Sequence, residues 1–400
     1  MSAPLDGIRV VDLTNVLAGP LCTFQLALMG AEVIKVETPG TGDLARQLGP
    51  DPALNRALMG ASFLAQNAGK RSVTINLKHP IGRRLFERLI ASADVLVENF
   101  RPGVMARLGL GYEPLSTINP SLIYCAISGF GQDGPLASNP AYDQIIQGMA
   151  GVMDVTGDDG TGPLRVGFPV CDTVGGIAGA FAVASALHQR RQTGRGLFID
   201  VSMLEVTLTA MGWVVSNYLI AGERPTRMGN ENVTASPSGT FVTGDGLLNI
   251  AANRQEQFES LCRLIARPDL AEDARFVRRD DRLRNRHALK VEIERALAAR
   301  PAAEWELLLN EAGVPAGRVL SVPEILAHPQ VAERGLTQRF EEVPGAGRAV
   351  TVAAVGFRFS GMRPRAAGPP PRLGEHTDEV LRGLGFTDAE ITGFRGEGAV

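Results

Sequence analysis

Two rhythms of apolar residues alternate along the first half of the chain. Short apolar runs at residues 8–13, 31–37, 73–77, 95–97 and 121–127 have the length and β-branched content of buried strands. Between them lie stretches with helical spacing at 20–29, 81–92 and 104–108; Pro20 opens the first and Gly30 stops it. Strand, helix and strand in this order form βαβ units, so the pattern predicts a doubly wound α/β domain with a parallel sheet. Residues 38–68, rich in Gly, Pro and Asn, read as a long loop. A helix over 142–153, a long apolar helix containing 177–187, a strand at 197–201 and an apolar helix over 203–221 follow.

The character of the chain changes at 224–239, which turns polar and marks a boundary. Beyond it a strand at 247–251, helical patterns at 255–265, 284–298 and 303–312, a strand at 314–319 and a helix at 322–328 predict a second, smaller α/β unit. Alternation over 338–364 predicts strands, and a Pro-rich stretch at 363–372 leads to a last helix at 377–384. The expected layout is a large domain over 1–200 completed by about 340–400, a linker helix at 201–225, a small domain at 226–330, a return linker at 331–372 and a closing segment at 373–400 that packs on the large domain.

Composition narrows the function classes. Hydrophobic residues at 44% and charged residues at 21% describe a globular chain, and its formal charge of −3 argues against a dedicated nucleic-acid binder. The four cysteines, Cys22, Cys125, Cys171 and Cys262, are scattered without a CxxC pair, which predicts a reduced, cytoplasmic, metal-free protein. The opening residues from Met1 lack an apolar leader, and the apolar run 174–187 is too short and too rich in small residues for a membrane span.

Loops after the strands carry the candidate chemistry. The segment from Gly129 to Gly134 matches GxGxxG, but Pro135 to Pro140 cannot open the helix that a pyrophosphate requires, so it reads as a tight turn. No Walker sequence, HExxH or GxSxG occurs, and no nucleoside triphosphate site is expected. Asp172 stands out because it lies where an irregular segment meets a long apolar helix. Two readings stand: an N-cap accepting bonds from free backbone N–H groups, or a carboxylate that those groups keep ionised for use as a nucleophile. Gly175 and Gly176, just beyond, allow close approach to the backbone and suit an oxyanion site.

Taken together, several segments resemble the family III CoA-transferases, the CaiB/BaiF family, which includes formyl-CoA:oxalate and carnitine CoA-transferases. They are Pro4-Leu5-Asp6-Gly7-Ile8-Arg9-Val10, Ala18-Gly19-Pro20, Gly30-Ala31-Glu32-Val33-Ile34-Lys35-Val36-Glu37, Lys70-Arg71-Ser72, Glu98-Asn99-Phe100-Arg101-Pro102-Gly103, Ser128-Gly129-Phe130-Gly131, Thr193-Gly194-Arg195-Gly196 and Leu373-Gly374-Glu375-His376-Thr377-Asp378-Glu379-Val380. The match loosens over 225–245. The resemblance implies a Rossmann-like domain, a smaller domain and two chains threaded as interlocked rings in a homodimer. It places the nucleophile at Asp172 and CoA contacts at Val16, Leu17, Ala18, Thr38, Ile75, Lys78, Asn99, Phe100, Arg101 and Arg107. Lys78, Arg101 and Arg107 suit the phosphates of CoA, and Phe100 suits an apolar portion. Thr38 stands where members of the family carry Arg. Tyr142 is assigned to the CoA or acyl pocket.

The reaction this implies is CoA transfer from a donor thioester to an acceptor acid through an aspartyl mixed anhydride and an aspartyl-CoA thioester. Acyl-CoA and a carboxylic acid are the expected small-molecule partners, with no metal, nucleic acid or membrane. A 2-methylacyl-CoA racemase would need a His before Asp143, where Tyr142 stands; a non-catalytic acyl-CoA binder would need no Asp172. The family's oxalate-specific members have a run of four glycines where this chain has Gly229-Asn230-Glu231-Asn232 through Ser236, Ser238 and Gly239. Asn230, Asn232, Ser236 and Ser238 suit a second carboxylate or a hydroxyl, so the expected pair is succinyl-CoA with a dicarboxylate or hydroxy acid.

Overall fold

The computed structural model describes residues 3–400; the expectation about an apolar leader falls partly on Met1 and Ser2, outside the described residues. Two compact units divide the chain: Met1–Met153 with Arg165–Arg224 and Arg334–Val400, and Asp154–Leu164 with Pro225–Glu333.

The first unit is built on six parallel strands, β1 (Arg9–Leu13), β2 (Glu32–Glu37), β3 (Arg71–Thr74), β4 (Val95–Glu98), β5 (Ile123–Ser128) and β6 (Phe198–Ser202), in the order β3-β2-β1-β4-β5-β6. Each strand after the first is reached by a crossover, so both faces of the sheet are covered and the strands are largely apolar. Val10 of β1 lies opposite Val33 on one side and Val95 on the other. Strand order reverses between β1 and β4, the point where open α/β sheets leave a crevice at their carboxyl ends.

Helix α1 (Ala18–Leu28) follows β1, α2 (Pro80–Ile90) follows β3, and α3 (Asp143–Met149), α4 (Val170–Thr193), α5 (Met203–Ala210) and α6 (Trp213–Ala221) follow in order. Alpha carbons without side chains let α1 and α4 pack tightly: a Cβ at Gly176 would come 2.6 Å from the Ala18 carbonyl oxygen, and one at Gly179 would come 3.2 Å from Cys22 Sγ. A hairpin of β10 (Thr337–Phe340) and β11 (Val350–Ala353) joins the apolar cluster of Phe24 and Leu28 on α1. The closing segment binds β3 and its loop through the amide of His376 to the Ser72 carbonyl and the amide of Asn76 to the Ala399 carbonyl.

In the second unit, β7 (Ser238–Val242), β8 (Leu247–Ala251) and β9 (Ala316–Arg318) form an antiparallel sheet. Phe241, Leu248 and Ile250 pack under the helices Gln255–Leu264, Arg286–Leu297 and Ala302–Glu311.

Several elements differ from the sequence pattern for identifiable reasons. The expected loop at 38–68 contains the short helices Leu44–Gln47, Pro52–Arg56 and Ala61–Leu64; Asp43 and Asp51 cap the first two, and Pro52 pre-sets the second. Helices Tyr112–Ile118 and Asp388–Gly396 have no counterpart among the expected elements. The expected linker helix over 203–221 is broken at Gly212, whose φ of 53° turns α6 by 82° from α5. The expected helix at 142–153 breaks at Gly151, with φ 80°. Helix α4 begins at Val170, runs 24 residues and by length and composition alone is long enough to cross a membrane. It packs against α1, β5 and β6, yet it is not buried all round, because Ile177 and Phe181 on its outer face are exposed.

Candidate active site

Asp172 occupies the first turn of α4, two residues beyond its start. The N-cap position belongs to Pro169, so the N-cap reading of Asp172 is corrected. Nor do backbone amides hold its carboxylate: neither oxygen has a hydrogen-bond partner among the described residues. The Cys171 amide instead donates to Asp143 Oδ1 at 2.8 Å, the Val170 amide donates to the Phe168 carbonyl, and the Thr173 amide donates to the Pro169 carbonyl. Asp143, reaching across from α3, therefore does the capping that Pro169 cannot do.

Burial, chiefly, and the nearby Asp143 carboxylate raise Asp172 to about 7. A helix N-terminus favours negative charge, but here desolvation and a like charge outweigh it. The result is a carboxylate more basic than usual that is still substantially ionised at neutral pH, without bonds that would have to break before it reacted.

Asp143 and Gln147 fix the approach to this turn. Gln147 Nε2 donates to Asp143 Oδ2 at 2.7 Å and to the Phe168 carbonyl at 3.3 Å, while Gln147 Oε1 accepts from the Val166 amide at 2.8 Å. Both side chains are buried. Sequence reading missed this pair; its one signal is the i, i+4 spacing of an acid and an amide on a helix.

Gly175 and Gly176 do allow close approach, but of protein. A Cβ at 175 would come 3.1 Å from Met203 Cγ, and Gly176 faces the start of α1. Gly175 lies within the helix, where its N–H belongs to the ladder, so, against expectation, it is not a free oxyanion donor; at the helix start the Val170, Cys171 and Thr173 amides are engaged and the Asp172 amide is not. Amides without a partner among the described residues lie at Asp172 itself and at the buried start of α1. Its N-cap, Leu17, offers no side-chain cap, and the amides of Ala18 and Gly19 have no partner among the described residues.

A cavity of about 240 Å³ opens at the carboxyl ends of β1, β2 and β3. Thr38, Ile75, Lys78 and Phe100 line it, together with Thr14, Asn15, Asp43 and Leu108. Asn99 fastens one wall: its Oδ1 accepts from the Asn15 amide and its Nδ2 donates to the Asn15 carbonyl. Glu98, raised to about 7 chiefly by burial, accepts from the Phe100 amide at 2.7 Å. Arg101 and Arg107 flank the turn that carries Phe100, Val104 and Leu108 but are not among the cavity's lining residues. Val16, Leu17 and Ala18 form the passage from this wall into α1. Tyr142, immediately before α3, is 68% exposed and so is not enclosed in a pocket of this chain.

In the second unit, a groove of about 580 Å³ is lined by Asn230, Glu231, Asn232, Ser238 and Asn249. Ser236 is buried away from it, its carbonyl accepting from Arg282 Nε at 3.0 Å.

A parallel 3-2-1-4-5-6 sheet with a cavity at the carboxyl ends of its strands has the form of the nucleotide- and cofactor-binding α/β domains, and the same unit holds a carboxylate of raised basicity at a helix start. The family profile "CoA-transferase family III" matches residues 5–377, and the chain belongs to that family. It is 38% identical over 379 residues to the Mus musculus succinyl-CoA:glutarate CoA-transferase, covering 95% of this chain and 86% of that one. It is 42% identical over 376 residues to the Acetobacter aceti acetyl-CoA:oxalate CoA-transferase, covering 93% of each. The crystal structure of a CaiB/BaiF family protein from Brucella suis superposes with a TM-score of 0.85 at 36% identity, over 96% of this chain and 100% of that one.

The raised Asp172 predicts that kcat/KM for acyl-CoA increases with pH as the carboxylate ionises, with its midpoint near 7, and levels off above. Asp143→Asn keeps an acceptor for the Cys171 amide but removes the like charge, so the midpoint should move to lower pH by roughly 0.5–1 unit. Initial rates of the two enzymes across pH decide it; an unmoved or upward-shifted midpoint contradicts the assignment.

Proposed function

We propose that this family III CoA-transferase moves CoA from succinyl-CoA to a dicarboxylate or hydroxy acid, with Asp172 as the covalent carrier. The observation that carries this reading is the unbonded, basic carboxylate in the first turn of α4, against the uncapped start of α1.

An Asp172 oxygen attacks the donor thioester carbonyl, and the C–S bond breaks to release CoA thiolate and leave a mixed anhydride. The thiolate then attacks the aspartyl carbonyl and expels the donor acid, which takes with it the oxygen that bridged the anhydride. The acceptor carboxylate attacks the aspartyl-CoA thioester, expels the thiolate again, and the thiolate closes the cycle at the acceptor carbonyl. The free energy of the thioester is kept in the anhydride and aspartyl-CoA intermediates, so no outside energy source is consumed. The Ala18 and Gly19 amides supply donors toward the oxyanions. Lys78, Arg101 and Arg107 meet the CoA phosphates, and Phe100 packs on the apolar part.

Support for the substrates is twofold. The mouse relative is named for succinyl-CoA and glutarate, and the polar groove of Asn230, Asn232 and Ser238 suits a second carboxylate. The bacterial relative named for acetyl-CoA and oxalate favours a second reading with that pair.

Incubation with succinyl-CoA, trapping with hydroxylamine and mass analysis of the Asp172 peptide should yield a hydroxamate that Asp172→Ala lacks, with transfer lost by about 1,000-fold or more. An unmodified Asp172 in enzyme that is turning over sinks the covalent reading. Parallel assays with glutarate and with acetyl-CoA plus oxalate separate the two substrate readings.

The active form proposed is a homodimer of interlocked chains. Helix α6 is apolar except for Ser216 and Asn217 and has no buried residue, and Trp213, Leu219 and Ile220 are 77%, 75% and 86% exposed. A helix of that kind needs a cover, and a second copy of the chain supplies it. Sedimentation should report the mass of two chains, and Leu219→Glu with Ile220→Glu should weaken the pair; a monomeric, fully active parent contradicts it.

A further inference from the structure

The turn between β1 and α1 is held by charges that have no part in the proposed chemistry. Val16 adopts φ 68°, a left-handed conformation that a β-branched residue avoids. The bonds that hold this turn come from side chains. The Val16 amide donates to Asp43 Oδ1 at 3.0 Å. The Asn15 amide and carbonyl are both engaged by Asn99. The Thr14 amide and hydroxyl donate to Asp12 Oδ1, and the Thr14 carbonyl accepts from Lys35 Nζ at 2.8 Å.

Lys35 links the two sides. Fully buried, it lies 2.9 Å from Asp43 Oδ2 and 3.8 Å from Asp12 Oδ1. Asp43 is itself fixed by its own amide, which donates to Glu37 Oε2, and by the Ala45 amide, which donates to Asp43 Oδ1. The buried pair therefore grips the turn at Thr14 and at Val16 together. Strain of this kind persists only where surrounding bonds over-determine it.

What the turn carries is functional on both flanks. Thr14 and Asn15 wall the cavity at the sheet's carboxyl end. Two residues beyond Val16, α1 begins with its uncapped amides, and its Ala18 carbonyl lies against Gly176 of α4, one turn past Asp172. The geometry points to Asp43 and Lys35 as positioning residues that lock Val16 in its left-handed form and so hold the thioester's wall and the α1 amides in register with Asp172. This rests on the proposed use of that cavity and of those amides for acyl-CoA.

A double-mutant cycle tests it. Glycine adopts positive φ freely, so Val16→Gly should make the turn less dependent on Asp43. Asp43→Ala alone should raise KM for succinyl-CoA and lower kcat, and the loss in kcat/KM should be about tenfold smaller when Val16→Gly is already present. The same cycle read as the Kd of CoA itself, by calorimetry, should show a smaller loss in the Val16→Gly enzyme too, whichever acyl donor the enzyme uses. A mere loss of folded protein would lower kcat and leave KM and Kd unchanged. If Asp43→Ala does not fold, Lys35→Met with Asp43→Leu removes the buried pair as a unit and carries the same cycle. Equal losses with and without Val16→Gly, or an unchanged KM and Kd, overturn the proposal. Failure of transfer from succinyl-CoA with the Kd cycle intact would count against the donor and leave the positioning role standing.

Discussion

Three carboxylates and three cations, buried together, are what the active half of the molecule depends on. Asp12, Glu37 and Asp43 pair with Lys35, Arg46 and Lys70 at the carboxyl end of the parallel sheet, all essentially without solvent. Lys70 Nζ donates to Asp12 Oδ2 at 2.9 Å and to the Pro20 carbonyl at 3.0 Å, while Arg46 grips both oxygens of Glu37 at 2.6 and 2.7 Å. Burial alone would raise Asp12, but Lys35 and Lys70 hold it far below the ordinary carboxylate range; burial brings Lys70 down to about 8. Breaking one partner of such a pair costs ~3–5 kcal/mol, whereas the intact pair adds little net stability. The cluster is therefore better understood as a device for geometry. It joins β1, β2, the 43–46 turn and α1 at the place where the sheet opens.

The same physics, turned around, gives Asp172 its raised basicity. The cluster at the carboxyl end of β1 balances its charges, but Asp172 is half-buried with no ion pair and no donor among the described residues, and the charge that acts on it is another carboxylate, Asp143. A group left in that state is destabilised as an anion, which raises its basicity without removing its charge at neutral pH. Asp143 serves two ends in this arrangement, capping the helix through Cys171 and pressing a like charge on Asp172. Stability is given up at the residue for which attack on a thioester is proposed.

Much of this is legible in the chain, and the reasons for what is not are physical. Parallel strands buried on both faces announce themselves as apolar runs, so β1 to β6 and the doubly wound class can be read directly. Asp172 is visible because it interrupts an apolar stretch, yet its setting is not: Pro169 starts the helix at Val170, which moves Asp172 from the cap into the first turn. The short helices at 44–64 are hidden in a Gly- and Pro-rich stretch, where the signals are single capping aspartates, Asp43 and Asp51. An unbroken apolar run conceals the bend at Gly212, because hydrophobicity does not report a φ of 53°. The Asp143–Gln147 pair leaves only an i, i+4 signal, and the bonds of Asp143 to Cys171 and of Asp43 and Lys35 to their partners cannot be assigned from spacing, since the fold alone brings them together.

Asp172 is proposed to carry the group covalently, and the path of a single oxygen tests that role. In the proposed cycle the oxygen that bridges the second anhydride comes from the acceptor acid and remains on Asp172 when the thiolate leaves with the acyl group. One turnover with a heavy-oxygen-labelled acceptor should therefore place one labelled oxygen in the Asp172 peptide, and later turnovers with unlabelled acceptor should pass it to the released donor acid whenever the labelled oxygen makes the attack. Label confined to the acceptor and its thioester, with an unlabelled Asp172 peptide after many turnovers, would contradict a covalent role for Asp172.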